Sequence, residues 1–120
     1  MNNSARAAGI QALNEKRSAD ALSLFRQALQ DDPSDPALYA YLGIAYGQAG
    51  RFAEAAHALR RAVTLSPRSA PMRFNLAQAL ERLGRPEEAI GEYQAAVALD
   101  PTHERAAAAV RRLEVAAAPR

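Results

Sequence analysis

Apolar residues recur along this chain of 120 residues in short stripes with helical spacing. One stripe, which contains Leu38 and Leu42, ends before Gly50, and glycine commonly ends helices because it adopts a left-handed conformation at little steric cost. The next stripe begins after Gly50 and stops before Pro67, which cannot donate the backbone hydrogen bond that a helix requires. No stretch alternates with period two for long enough to predict a strand. The pattern therefore predicts an all-α fold.

These two helices form one of three copies, because successive prolines at positions 33, 67 and 101 lie 34 residues apart. Other positions match in the same register: Ala21, Ala55 and Ala89; Phe25, Leu59 and Tyr93; Ala28, Ala62 and Ala96. Each unit alone has an apolar stripe that it cannot bury, so the units must stack. We expect a single domain over residues 1–120, with repeats at about 2–35, 36–69 and 70–103 and a capping helix at about 102–117.

The ends of the chain lead to separate expectations. Ser18 and Thr102 are predicted N-caps, because a hydroxyl can accept a hydrogen bond from a free backbone N–H in the first helical turn. In the last helix, the apolar residues Val110 and Leu113 should turn inward. Three arginines of that helix should face water: Arg105, Arg111 and Arg112. The first helix should be the least stable, because its inward positions hold alanines: Ala5, Ala8 and Ala12.

The middle unit resembles the tetratricopeptide repeat signature. The residues that carry the resemblance are Tyr39, Leu42, Gly43, Tyr46, Ala55, Leu59, Ala62 and Pro67. The third unit departs from the signature at Arg73, Ala77 and Leu80, and the first unit at its alanines. The resemblance covers about residues 2–103. It implies a right-handed solenoid of three helix–turn–helix units with a concave groove, lined by the first helix of each unit, that binds a protein or peptide.

The resemblance also implies which residues contact the partner. They are Arg6, Ile10, Tyr41, Ile44, Gln48, Phe74, Asn75, Gln78 and Arg82. Three of these positions add apolar side chains beyond those of the core stripe: Tyr41, Ile44 and Phe74. Such additional apolar residues favour an interaction surface, although packing against a neighbouring helix would also explain them. Asn75 and Gln78 would hold the ligand backbone through their amides.

Some members of the family clamp the carboxylate at the end of a chaperone tail with lysine, asparagine and arginine. The matching positions here are Arg6, Ile10, Tyr41, Pro71 and Asn75, so most of that clamp is missing and we do not expect this ligand. An amphipathic helix or an extended segment with apolar anchors suits the surface better. Gly47 would leave a dent on the groove, although close packing between helices explains a glycine there more readily.

Composition argues against other functions. The 15 basic and 13 acidic residues are interspersed, so there is no clustered basic surface for nucleic acid. The chain has no cysteine, and His57 and His103 lie on different units, so we expect no metal site, cofactor or enzymatic activity. Neither a signal peptide nor a membrane span is visible, which makes the cytoplasm the default location, although a fragment of a longer protein would look the same. The alternative function is self-association through the terminal helices.

Overall fold

The computed structural model describes residues 3–119, and within them it contains seven helices and no strand. The helices are α1 (Asn3–Asn14), α2 (Ser18–Asp31), α3 (Pro36–Gln48), α4 (Phe52–Leu65), α5 (Ala70–Arg82), α6 (Pro86–Leu99) and α7 (Glu104–Ala117). Each helix packs against the next one along the chain, and α3 also touches α1 and α5. The result is an elongated stack of 53 × 26 × 20 Å, so the prediction of an all-α helical repeat is confirmed. None of these helices is both long and apolar enough to cross a membrane.

The turn inside each helix pair has the same backbone geometry. After α3 and α5, Gly50 and Gly84 have φ values of 76° and 79°, as expected for glycines that end a helix, and Lys16 takes the same role after α1 with φ 62°. The following residue donates its N–H back to a carbonyl of the preceding helix, as Arg51 does to Tyr46 at 2.9 Å. These bonds satisfy carbonyls that would otherwise lack a partner at the helix end.

This turn explains why the prediction that Ser18 caps α2 is wrong. The N–H of Arg17 bonds to the carbonyl of Ala12 at 2.8 Å, so Arg17 ends the turn after α1 and is at the same time the N-cap of α2. Ser18 is then already the first helical residue, and no side chain caps this helix end. Its hydroxyl donates instead to Gln48.

The prediction that Thr102 caps the last helix is also wrong. The Thr102 hydroxyl lies 2.6 Å from a carboxylate oxygen of Asp100 and is used there. The next residue, His103, is the N-cap, and its Nδ1 accepts the N–H of Ala106 at 3.1 Å. His103 is half-buried and has this structural role.

The core is one continuous cluster in which a large residue of one helix packs on a small residue of its partner. A Cβ placed on Gly43 would lie 2.5 Å from Leu59 Cγ, and one on Gly9 would lie 2.7 Å from Phe25 Cε1. Real Cβ atoms do not approach other atoms so closely, so these glycines are required for the helices to meet. Gly43 therefore serves the close packing of α3 on α4.

Helix α7 covers the end of this core. Leu113 is buried and Val110 is half-buried against the cluster, as predicted. In the 34-residue register, Arg111 takes the place that Gly43 occupies in α3. Arg111 is charged and exposed. Helix α7 therefore lacks the small buried residue that lets α4 pack closely on α3.

Candidate functional site

A cavity of about 430 Å³ opens on the surface formed by α1, α3 and α5, which we call the groove. It lies between the second and third helix pairs. Its lining residues are Gly43, Ile44, Gly47, Phe52, Ala55, Leu59, Asn75, Gln78, Ala79, Glu81, Arg82, Tyr93 and Arg112. The lining combines apolar residues, several of them buried, with amide and charged side chains from α5 and α7. Such a volume lies within the range of about 300–1,000 Å³ that is common for ligand pockets.

The structure brings four of the predicted partner-binding residues together at this cavity: Ile44, Asn75, Gln78 and Arg82. The others do not line it: Arg6, Ile10, Tyr41, Gln48 and Phe74. The candidate site is therefore centred on units two and three, and unit one stands beside it.

Asn75 and Gln78 lie three residues apart on α5, so both side chains are on the groove side of that helix. Both are half-buried. Neither side chain hydrogen-bonds to any residue in the described part of the chain. Each amide therefore has donors and an acceptor that remain free for a ligand.

Gly47 is a half-buried residue in the last turn of α3 and lines the cavity. A Cβ added to it would meet no other atom within 4 Å, apart from its own helix and chain neighbours. The interpretation that this glycine serves close packing between helices is therefore wrong. Its missing side chain leaves open space in the groove.

Three side chains from three different helices form a linked network at one end of the cavity. Arg112 of α7 donates to the two carboxylate oxygens of Glu81 at 2.5 and 3.1 Å, and the hydroxyl of Tyr93 donates to Glu81 at 2.9 Å. The bond from Arg112 is the main reason why the pKa of Glu81 is lowered. Burial, followed by the bond to Glu81, raises the pKa of Tyr93. The network ties the capping helix to the groove.

Sequence reasoning placed Arg112 in water, and its side chain is indeed 55% exposed, but its guanidinium turns back to the groove. The repeat register contained the signal that was missed. Arg112 lies 34 residues after Gln78, which itself lies 34 after Ile44, so all three share the position that faces the groove.

Arg82 stands at the rim with its guanidinium carbon 4.5 Å from the centre of the Phe52 ring. Its side chain forms no salt bridge with a carboxylate of residues 3–119, although its charge helps to lower the pKa of neighbouring Glu81. Because Glu81 is already bonded to Arg112 and Tyr93, Arg82 is the cation at this rim whose charge is least compensated.

Phe74 was expected to be an exposed anchor, and this expectation is wrong because the residue is only 5% exposed. Its ring packs 5.6 Å from the ring of Tyr93 and 4.7 Å from that of His103, with Arg105 above it at 4.7 Å. The register explains the difference. Phe74 corresponds to Ala40, which is also buried, whereas Tyr41 corresponds to Asn75.

Tyr41 and Ile44 are half-buried and touch the core, so the fold uses part of each side chain. Tyr41 stacks on Phe25 with ring centres 5.4 Å apart and planes inclined by 10°. The guanidinium carbon of Arg6 lies 5.6 Å from the centre of the Tyr41 ring, and Arg6 forms a 2.7 Å salt bridge with Asp35. Arg6 and Tyr41 thus hold α1, α2 and α3 together while remaining partly accessible.

Gln48 is also engaged in the fold. Its amide nitrogen donates to the carbonyl of Leu13 at 3.1 Å, and its oxygen accepts from Ser18. It therefore bridges the first two helix pairs. Ile10 is half-buried against the core. Among residues 3–119, no three histidine, aspartate or glutamate side chains are grouped as metal ligands would be.

Comparisons with family models and with curated proteins point to the same family. The tetratricopeptide repeat model matches residues 6–70 and again residues 42–104. A curated relative, the small glutamine-rich tetratricopeptide repeat-containing protein 2 of Mycosarcoma maydis, is 27% identical over 99 residues, which are 82% of this chain and 28% of the relative. The chain thus spans little more than a quarter of that protein's length.

Solved structures show the same fold. The second TPR domain of human RPAP3, in complex with an HSP70 peptide, is 19% identical with a TM-score of 0.87, over 92% of each chain. The Yersinia enterocolitica type III secretion chaperone SycD, in complex with a peptide of the translocator YopD, is 16% identical with a TM-score of 0.88, over 93% of this chain and 91% of that one. The Sgt2 TPR domain of Aspergillus fumigatus is 18% identical with a TM-score of 0.89, over 96% and 78%.

Proposed function

Because the chain belongs to the tetratricopeptide repeat family, we propose that it is a non-catalytic scaffold that binds a peptide or helical segment of a partner protein in the groove. The proposal is supported by two similar structures, those of human RPAP3 and SycD, each of which is a complex with a peptide. A shared fold does not identify the partner, so the argument for this chain must come from its own groove.

The observation that carries the proposal is the pair of free amides, Asn75 and Gln78, beside an open cavity of about 430 Å³. A half-buried amide without a protein partner gives up part of its hydration and gains nothing in return. A peptide backbone offers the matching groups, since each residue presents an N–H and a C=O. The two amides would thus fix the backbone of the bound segment, and Ile44 would contact its apolar side chains.

The remaining predicted contacts keep different roles in this proposal. Arg6 and Ile10 of unit one, together with Tyr41 and Gln48 of unit two, extend the groove and would meet the other end of the segment. Phe74 does not contact the ligand and supports the groove from within the core.

Selection from a phage-displayed library of random peptides tests the proposal. Peptides selected on the wild-type protein are then measured against the double variant Asn75→Ala/Gln78→Ala. Two lost hydrogen bonds of about 1 kcal/mol each should weaken binding roughly 30-fold. Gln94→Ala is a matched control, because Gln94 is an exposed amide on α6 that does not line the cavity. Equal affinity of the double variant and the wild type would place the binding surface elsewhere.

Self-association through the terminal helices is the second candidate. It is favoured by Val115 on α7, which is 76% exposed and is the most exposed large apolar residue in the described part of the chain. Sedimentation velocity over a range of protein concentrations tests it. A dimer that Val115→Asp disrupts would support this function, while a monomer at all concentrations would reject it.

A further inference from the structure

We propose that the cavity beside Gly47 is a specificity pocket that receives one large apolar side chain of the bound segment, while Arg82 at its rim pairs with a carboxylate of a neighbouring residue in that segment. The inference rests on the proposed function, because it describes the ligand of the same groove. It commits to a partner segment in which an apolar residue and an acidic residue stand side by side.

The first argument is the contrast between two glycines of α3. Gly43 is required by the fold, because a Cβ there would lie 2.5 Å from Leu59. Gly47, one helical turn later, has open space where its Cβ would be. A glycine inside a helix costs about 1 kcal/mol relative to alanine. At Gly47 the missing Cβ makes room for no atom of another described helix, whereas a ligand side chain would gain the space.

The second argument is the chemistry of the apolar lining. The buried residues Ala55, Leu59 and Ala79, together with Ile44 and Phe52, form the apolar part of the cavity lining. These apolar groups offer no hydrogen bond, so a polar side chain placed against them would lose its hydration without compensation, whereas the free amides of Asn75 and Gln78 line another part of the cavity. An apolar side chain would instead gain about 25 cal/mol for each Å² that it removes from water. The apolar lining therefore selects for an apolar residue.

The third argument is the charge at the rim. Glu81 accepts bonds from Arg112 and Tyr93, so its carboxylate is occupied. Arg82 lies over the ring of Phe52, forms no salt bridge with a described residue, and interacts with Glu81 only through its charge. The uncompensated charge beside the pocket is thus positive, and a carboxylate of the ligand would be attracted to it.

The same phage-displayed library tests this inference through the sequences that it selects. Peptides retained by the wild type should be enriched in leucine, isoleucine, methionine or phenylalanine next to aspartate or glutamate. Their affinity should fall roughly threefold to tenfold in Arg82→Gln at low salt, and this difference should shrink at high salt because screening weakens the interaction of exposed charges.

Gly47→Leu tests the pocket directly, because the new side chain would occupy the space that the ligand needs. We expect the affinity for selected peptides to fall at least about tenfold. The thermal midpoint should not fall, since leucine is a better helix former than glycine. Gly91→Leu is the matched control: Gly91 is an exposed glycine of α6 with no atom within 4 Å of an added Cβ, and it does not line the cavity. It should leave binding unchanged.

The outcomes separate this inference from the proposed function. Peptides that lose affinity for Asn75→Ala/Gln78→Ala but bind Gly47→Leu as tightly as the wild type would overturn the pocket and leave groove binding intact. Selected peptides without a preference for apolar and acidic neighbours would do the same. Peptides that bind all of these variants equally, or a wild type that selects no peptide, would reject both ideas.

Discussion

Replacing Phe74 by alanine tests whether this residue belongs to the core, as the structure indicates, or to the binding surface, as the sequence suggested. Phe74 is 5% exposed and packs against Tyr93 of α6 and His103 before α7. The substitution would therefore open a cavity where α5, α6 and α7 meet. It would also remove the ring that holds His103, whose Nδ1 caps the first turn of α7.

The magnitude follows from this burial. Replacing a buried phenylalanine by alanine commonly costs about 3 to 5 kcal/mol, because transfer energy is lost and the cavity collapses only in part. For a chain of this size, that corresponds to a thermal midpoint lower by roughly 10 to 20 °C. Tyr41→Ala should cost less, about 1 to 2 kcal/mol, because Tyr41 is half-buried and loses one stacked ring and one cation–π contact.

Urea denaturation followed by circular dichroism measures both variants against Leu42→Ala, a buried control on α3. Phe74→Ala and Leu42→Ala should lower the free energy of unfolding by similar amounts. Both losses should be larger than that of Tyr41→Ala. Amide hydrogen exchange should in addition become faster over residues 104–117 in Phe74→Ala than in Leu42→Ala. If Phe74→Ala unfolded within about 1 kcal/mol of the wild type while Tyr41→Ala was the costlier change, the assignment of Phe74 to the core would be refuted.

Further predictions concern the chain ends and the network at the groove. Truncation after Pro101 removes α7 and its buried Leu113, so the thermal midpoint should fall and the protein should associate; an unchanged monomer would contradict the role of the cap. Amides of residues 4–14 should exchange faster than those of residues 38–48, and equal protection would show that α1 is not the weakest helix. The folded state lowers the pKa of Glu81 below its ordinary value, mainly through the bond from Arg112, so the stability that ionised Glu81 provides is present at neutral pH and is lost as the pH falls through that lowered pKa. Glu81→Gln should therefore lose less stability than the wild type on acidification. Thermal midpoints measured from neutral pH down to below that lowered pKa would show this difference.

The helices themselves could be predicted from local signals. Gly50 and Gly84 end helices through their own backbone freedom, and prolines 34 residues apart stop the second helix of each unit. Such signals act over a few residues, so a sequence shows them directly. The N-caps were predicted less well, because Arg17 rather than Ser18 takes the N-cap position of α2, and His103 rather than Thr102 takes that of α7. Which residue wins depends on the geometry of the preceding turn.

The repeat register also contained more about the site than residue type alone suggested. It placed Phe74 with buried Ala40, and Arg112 with Gln78 and Ile44. Residue type alone predicts other roles, because an aromatic side chain in a groove suggests a binding anchor and an arginine suggests a solvated charge. Position in the period determines which way a side chain points, and in these two cases it was the better guide.

The sequence by itself determined the number, type and order of the helices in the described chain, because a 34-residue period with helix stop signals is a property of neighbouring residues. Only the tertiary structure decided that Gly47 faces open space, that Glu81 is bonded to Arg112 and Tyr93, and that Asn75 and Gln78 remain without partners. Each of these facts depends on which groups of different helices lie close together in space. Such distances depend on how closely the helices approach and how they are rotated, and spacing along one chain does not specify either.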